Sequence, residues 1–116
     1  MSQLESAHRP WGAWYVLHEE DDFKVKKLLI KPGKRLSYQR HMHREEYWQI
    51  VKGTATLLLD GDYHECPENS HVYIPQEAMH RVENQTDQDL IIIEIQKGTY
   101  LGEDDIFRQE DDYGRV

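Results

Sequence analysis

The stretch GKRLSYQRHMHREEYWQIVKG, from Gly33 to Gly53, constrains the fold more than any other part of the chain. Gln39, His41 and His43 stand at alternate positions in it, and Glu46 follows. In a β-strand, side chains at i, i+2 and i+4 project from one face. A helix would scatter them around its circumference. An extended segment therefore aims an amide oxygen and two imidazoles at one point, and a carboxylate arrives from the next turn. That donor set suits a divalent ion such as Zn, Mn, Fe, Co or Ni.

The rest of the chain reads the same way. Strands are expected at Trp14–Leu17, Phe23–Lys31, Leu36–His43, Tyr47–Val51, Thr54–Leu59, Val72–Ile74, His80–Glu83 and Leu90–Ile95. In the strand at Phe23, Val25 and Leu29 share one face. The run LIIIEI at Leu90–Ile95 is apolar enough to be buried on both faces. Pro32-Gly33, Asp60-Gly61 and the polar run Asn84–Asp89 separate these segments as turns. Helical periodicity is almost absent, so the fold class is an all-β barrel or jelly roll. At 116 residues the chain makes one domain. Residues 1–8 are polar and aperiodic, which predicts a loose end, with the domain spanning residues 9–116. The acidic tail beyond Lys97 carries Tyr100, Leu101, Ile106, Phe107 and Tyr113, which argues for a segment packed over the barrel. Within it, Glu103, Asp104 and Asp105 read either as a helix cap or, if the tail closes the barrel mouth, as a base or as groups supporting the ligands.

Two spaced motifs sharpen the reading. Gly33, Gln39, His41, Glu46 and Gly53 fit the frame G-x5-H-x-H-x3,4-E-x6-G, with Gln39 in the first histidine slot. Pro75, His80 and Asn84 fit G-x5-P-x-G-x2-H-x3-N, with Asn69 and Glu77 in place of its glycines. Both motifs resemble those of cupins, which implies a jelly-roll barrel, or double-stranded β-helix, with an N-terminal extension and a packed C-terminal tail. A narrower resemblance rests on RPWG at Arg9–Gly12, VKKLLIKPG at Val25–Gly33, LSYQRHMHREEYW at Leu36–Trp48, YIPQEAMHRVEN at Tyr73–Asn84 and IEIQKGTYLGEDDIFRQEDDYGR at Ile93–Arg115. These segments are similar to the C-terminal cupin domain of type II phosphomannose isomerases. The resemblance implies metal-dependent interconversion of mannose 6-phosphate and fructose 6-phosphate, or of a related sugar phosphate. Two departures stand out. Tyr47 replaces a histidine of the family pattern, and a stand-alone cupin without the nucleotidyltransferase domain is expected.

On this basis the expected metal ligands are Gln39, His41, Glu46 and His80. His43 reads as a further ligand, as an acid/base group suited to proton transfer, or as a polar residue at the barrel mouth. His43, Arg44 and Glu46 form the expected catalytic set. The formal net charge of −8 argues against nucleic acid and anionic membranes as partners. An anionic substrate then needs local cations, and Arg44, Arg81, Lys26 and Arg108 are the candidates. Arg115 reads as a structural ion pair. The single cysteine, Cys66, excludes an internal disulfide. With no secretory or membrane-spanning run, a cytoplasmic protein is expected. A homodimer is expected, since pairing would cover exposed strand edges. Two rival readings stand beside the isomerase: a non-catalytic sugar-phosphate-binding cupin partnering a separate nucleotidyltransferase, and a cupin oxygenase.

Overall fold

The computed structural model describes residues 4–114. Eleven strands form two antiparallel sheets among them, with no helix. One sheet holds β1 (Ser6–Arg9), β2 (Gly12–Glu19), β3 (Phe23–Ile30), β10 (Leu90–Gly98), β5 (Arg44–Lys52) and β8 (His71–Ile74), in the order β1-β2-β3-β10-β5-β8. The other runs β11-β4-β9-β6-β7, from β11 (Phe107–Glu110), β4 (Tyr38–Arg40), β9 (His80–Glu83), β6 (Ala55–Leu59) and β7 (Asp62–Cys66). The two sheets face each other as a cupin jelly roll, and the C-terminal segment adds β11 to the edge beside β4.

Each central strand changes character halfway along its inner face. On β3 the inward positions are Lys24, Lys26, Leu28 and Ile30, all buried. On β10 they are Leu90, Ile92, Glu94 and Gln96, and on β5 they are Arg44, Glu46, Trp48 and Ile50. Pairing aligns like with like. Leu90 stands opposite Ile30 and Ile92 opposite both Leu28 and Ile50. Glu94 stands opposite Lys26, and Gln96 opposite Lys24 and Glu46. The barrel thus has an apolar floor and a charged mouth. Trp11, Ile74, Leu57, Val82 and Ala55 complete the floor. Each large aliphatic side chain buried there contributes about 1.5–3 kcal/mol.

Turn backbone explains the departures from the glycine frame. Asn69 and Glu77, which replace the second motif's glycines, adopt φ of 75° and 68°. The left-handed conformation is therefore kept although L side chains tolerate it poorly. The Glu77 amide donates to the carbonyl of His41 at 2.8 Å, which ties that turn to the ligand segment. Asp60 and Gly61 both have positive φ, as a two-residue hairpin between β6 and β7 requires.

Several expectations are corrected. Residues 6–8 are not loose, because Ser6–Arg9 pairs with Gly12–Tyr15. Residues 1–3 and Arg115 lie outside the described residues. The strand at Leu90 is not buried on both faces: Ile91 and Ile93 are half-buried and Ile95 is 40 % exposed. Val25 and Leu29 do share a face, as expected, and it is the outer one, while Lys24 and Lys26 turn in. β7 and β11 were not foreseen, since both are largely exposed edge strands with no apolar face to mark them. Glu103–Asp105 cap no helix. No helix long and apolar enough to cross a membrane occurs among the described residues.

Candidate metal centre

His41, Glu46 and His80 converge at the mouth of the barrel, each buried, with ligating atoms within 4.8 Å of one another. Three local structures bring them there. Glu46 points inward from β5, His80 opens β9, and His41 lies just past the end of β4. Gln39 pairs with His80 in the β4–β9 register, so it stands beside the same point. Its amide oxygen accepts from Ser37 Oγ at 2.8 Å. The cavity over the cluster has a volume of about 130 Å³.

The hydrogen bonds around the histidines fix which nitrogen faces inward. His41 Nδ1 donates to the carbonyl of Asp105 at 2.7 Å, and His80 Nδ1 donates to the carbonyl of Ala78 at 3.0 Å. Each ring therefore presents the Nε2 lone pair to Glu46, at 3.4 Å from Oε2 for His41 and 3.9 Å from Oε1 for His80. Such partners orient metal-binding imidazoles. Burial pushes His41 down to about 4, with Arg44 and His80 adding to the shift against the pull of Glu46. The ring is consequently neutral, the ligating form. Burial alone would raise the Glu46 carboxyl, but Arg44, then His41 and His80, hold it below the usual range. Trp48 Nε1 also donates to Glu46 Oε1 at 3.0 Å. His80 Nε2 is buried without a hydrogen-bond partner among the described residues. Two buried imidazole nitrogens, that of His80 without a hydrogen-bond partner among the described residues, and a carboxylate held ionised fit a borderline divalent ion.

The other expected residues divide. Arg44 enters the cluster, bonding Glu46 and approaching His41 Nε2. Lys26 pairs with Glu103 and stands 4.2 Å from the ring centre of Trp14. Arg81 donates to the carbonyl of Leu36 at 2.9 Å and to Glu110 Oε1 at 3.2 Å. Arg108 lines the cavity from β11. His43 is not part of the site. The strand ends at Arg40 and the chain bends at Met42-His43, so the i, i+2, i+4 alternation stops one residue short. His43 turns outward, edge-on to Tyr100.

Two acidic residues outside the expected ligand and catalytic sets belong to the site, and of these only Glu94 was unforeseen. Glu94 lines the cavity, and burial, then the nearby Glu46, pushes its carboxyl up to about 7. Its mark in the sequence is a lone carboxylate in an apolar strand. Asp105 accepts from the backbone amides of Met42 and His43 at 3.1 and 2.9 Å. The folded tail brings it there, in keeping with the reading of Glu103–Asp105 as groups that support the ligands where the tail closes the barrel mouth.

Residues 1–111 match the family described as "Mannose-6-phosphate isomerase C-terminal". The chain is 45 % identical over 109 residues to the mannose-1-phosphate guanylyltransferase of Escherichia coli K12, covering 94 % of this chain and 23 % of that protein. It is 47 % identical, with the same coverages, to the alginate biosynthesis protein AlgA of Pseudomonas aeruginosa. The chain thus spans about a quarter of these relatives. A solved Klebsiella pneumoniae protein with a double-stranded β-helix domain superposes with a TM-score of 0.72 at 18 % identity, covering 83 % of this chain and 77 % of that one. That likeness concerns the fold alone. The relatives overturn the expectation of an isomerase interconverting mannose 6-phosphate and fructose 6-phosphate. The curated proteins that match are enzymes named for guanylyl transfer to mannose 1-phosphate or for polysaccharide biosynthesis.

Proposed function

This chain belongs to the family of mannose-6-phosphate isomerase C-terminal domains, and from that premise we propose that it is a divalent-metal-holding, sugar-phosphate-binding domain that works alongside a mannose-1-phosphate guanylyltransferase. The observation that carries this reading is the juxtaposition of two kinds of group in one buried cavity. A His41–Glu46–His80 cluster lies at its base, and Arg44, Lys26, Arg81 and Arg108 line its walls. In a chain of net charge −8, cations gathered at one concave site are what an anionic sugar phosphate needs. Identities of 45 % and 47 % over almost the whole chain support mannose 1-phosphate as the first ligand to try.

His41, Glu46 and His80 would hold the ion, with the Gln39 amide beside them. Zn, Mn, Co, Ni and Fe all accept nitrogen and oxygen donors. When bound, the ion supplies a Lewis acid that polarises a sugar or phosphoryl oxygen. Trp48 and Arg44 keep the Glu46 carboxylate in place. Trp11 and Trp14 give the cavity an apolar wall against which a sugar ring can pack.

Calorimetry on the chelator-stripped chain tests this. Zinc or manganese should bind at one ion per chain, and mannose 1-phosphate should then bind the loaded form. Absence of binding by every ion would overturn the metal reading. Metal uptake without any sugar-phosphate binding would overturn the ligand.

A further inference from the structure

Arg44 stands inside the ligand cluster rather than beside it. Its Nε donates to Glu46 Oε2 at 3.0 Å, and its Nη2 lies 3.1 Å from His41 Nε2. Because His41 Nδ1 already donates to Asp105, Nε2 carries the only in-plane lone pair of that ring. That lone pair can accept an Arg44 N–H or ligate a metal, but not both at once. The same guanidinium keeps Nη1 buried and without a hydrogen-bond partner among the described residues. Its neighbours differ, since Lys26 is paired with Glu103 and Arg81 is bonded to Leu36 and Glu110.

We infer that Arg44 is an internal counter-cation that trades places with the metal and is thereby released to grip an anion. In the metal-free chain it neutralises Glu46 and occupies the His41 lone pair. When His41 turns that lone pair to a metal, Arg44 gives up the bond. Its Nη1 and Nη2 donors then face the cavity together, as a fork suited to a phosphoryl oxygen pair. The inference rests on the metal reading above and adds two consequences. Arg44 lowers the affinity for metal, because a competing cation must first be displaced. Metal and phosphate assist each other's binding through it, and such coupling is reciprocal. A residue that merely positioned Glu46 for the metal would act in the opposite sense, and its removal would weaken metal binding.

The test uses the full chain, wild type and Arg44→Met, titrated with manganese and with inorganic phosphate. The variant is expected to bind manganese at least several-fold more tightly than wild type. Manganese should tighten phosphate binding to wild type by roughly 5- to 150-fold, the usual span of coupling between sites. Most of that gain should vanish in Arg44→Met. Equal or weaker manganese binding by the variant overturns the inference, as does undiminished coupling. Should the variant fail to fold, nitrogen-15 NMR of the wild-type guanidinium decides the matter. Saturation with zinc, which is diamagnetic, should speed exchange of the Arg44 Nη protons, and unchanged resonances overturn the exchange. Wild type that takes up no metal overturns the metal reading itself. Metal uptake with an indifferent Arg44 overturns this inference alone.

Discussion

His80 shows how much one side chain depends on its neighbours. The Ala78 carbonyl commits Nδ1, and burial keeps water from Nε2, so the ring holds one unspent lone pair facing a carboxylate. His80→Ala should leave the barrel folded and reduce metal affinity beyond the roughly 10–100-fold that loss of an outer hydrogen-bond partner costs. Calorimetric titration with zinc reads this directly, and wild-type affinity in the variant would remove His80 from the ligand set. Glu94 makes a different prediction. Its folded carboxyl titrates near 7, above the ordinary 4.5, because burial and Glu46 disfavour the charge. Between those values the folded state holds a proton that the unfolded chain has released. This contribution to stability is thus full below about 4.5 and is lost as the pH rises through 7. Glu94→Gln should abolish the loss, so the metal-free variant should exceed wild type in stability at pH 8 by more than at pH 5. Parallel urea melts at the two pH values check the sign.

Among the elements, the tail from Gly98 to Glu110 does the least obvious work. β11 pairs with β4, and Asp105 caps the bend at Met42-His43 while its carbonyl orients His41. The tail therefore shapes the ligand segment from 62 to 64 residues away in sequence. Asp105→Ala deprives two part-buried backbone amides of their acceptor, a loss of about 0.5–1.5 kcal/mol for each bond. It should lower the melting temperature and weaken metal binding together, although Asp105 is no ligand. Melting and zinc titration of the same sample separate this from a purely structural effect, which would leave affinity untouched.

At the scale of the whole molecule, the two faces of the larger sheet differ. The inner face carries floor and mouth. The outer face sets Val25 beside Ile95 and Ile95 beside Tyr47, which in turn pairs with Tyr73. Glu45 accepts from both tyrosine hydroxyls, so this stripe presents apolar surface, with Lys97 opposite Glu45 at its edge. Charges of both signs flanking an apolar stripe suit a second copy related by a two-fold axis, and the homodimer proposal rests on this face. Ile95→Lys should then yield a monomer by light scattering with the metal site intact. A wild type that is already monomeric at high concentration would dispose of the dimer.

The sequence by itself determined the barrel and most of its strands. Alternation, β-branched residues and turn signals are local, and they announced eight of the strand cores from Trp14 to Ile95. Motif spacing also picked out Gln39, His41, Glu46 and His80, which the fold gathers at one end. Tertiary structure decided what depends on partners distant in the chain. The bend at Met42-His43 takes His43 out of the site, because Asp105 and the Glu77 amide grip that segment from other parts of the barrel. The charged half of the barrel was legible only in fragments, as Lys26 on one strand and Arg44 and Glu46 on another. Cross-strand register stacked those fragments into one mouth. Burial there converted ordinary surface chemistry into the ionised Glu46, the neutral His41 and a Glu94 carboxyl raised to about 7, since low dielectric lets neighbours set each charge.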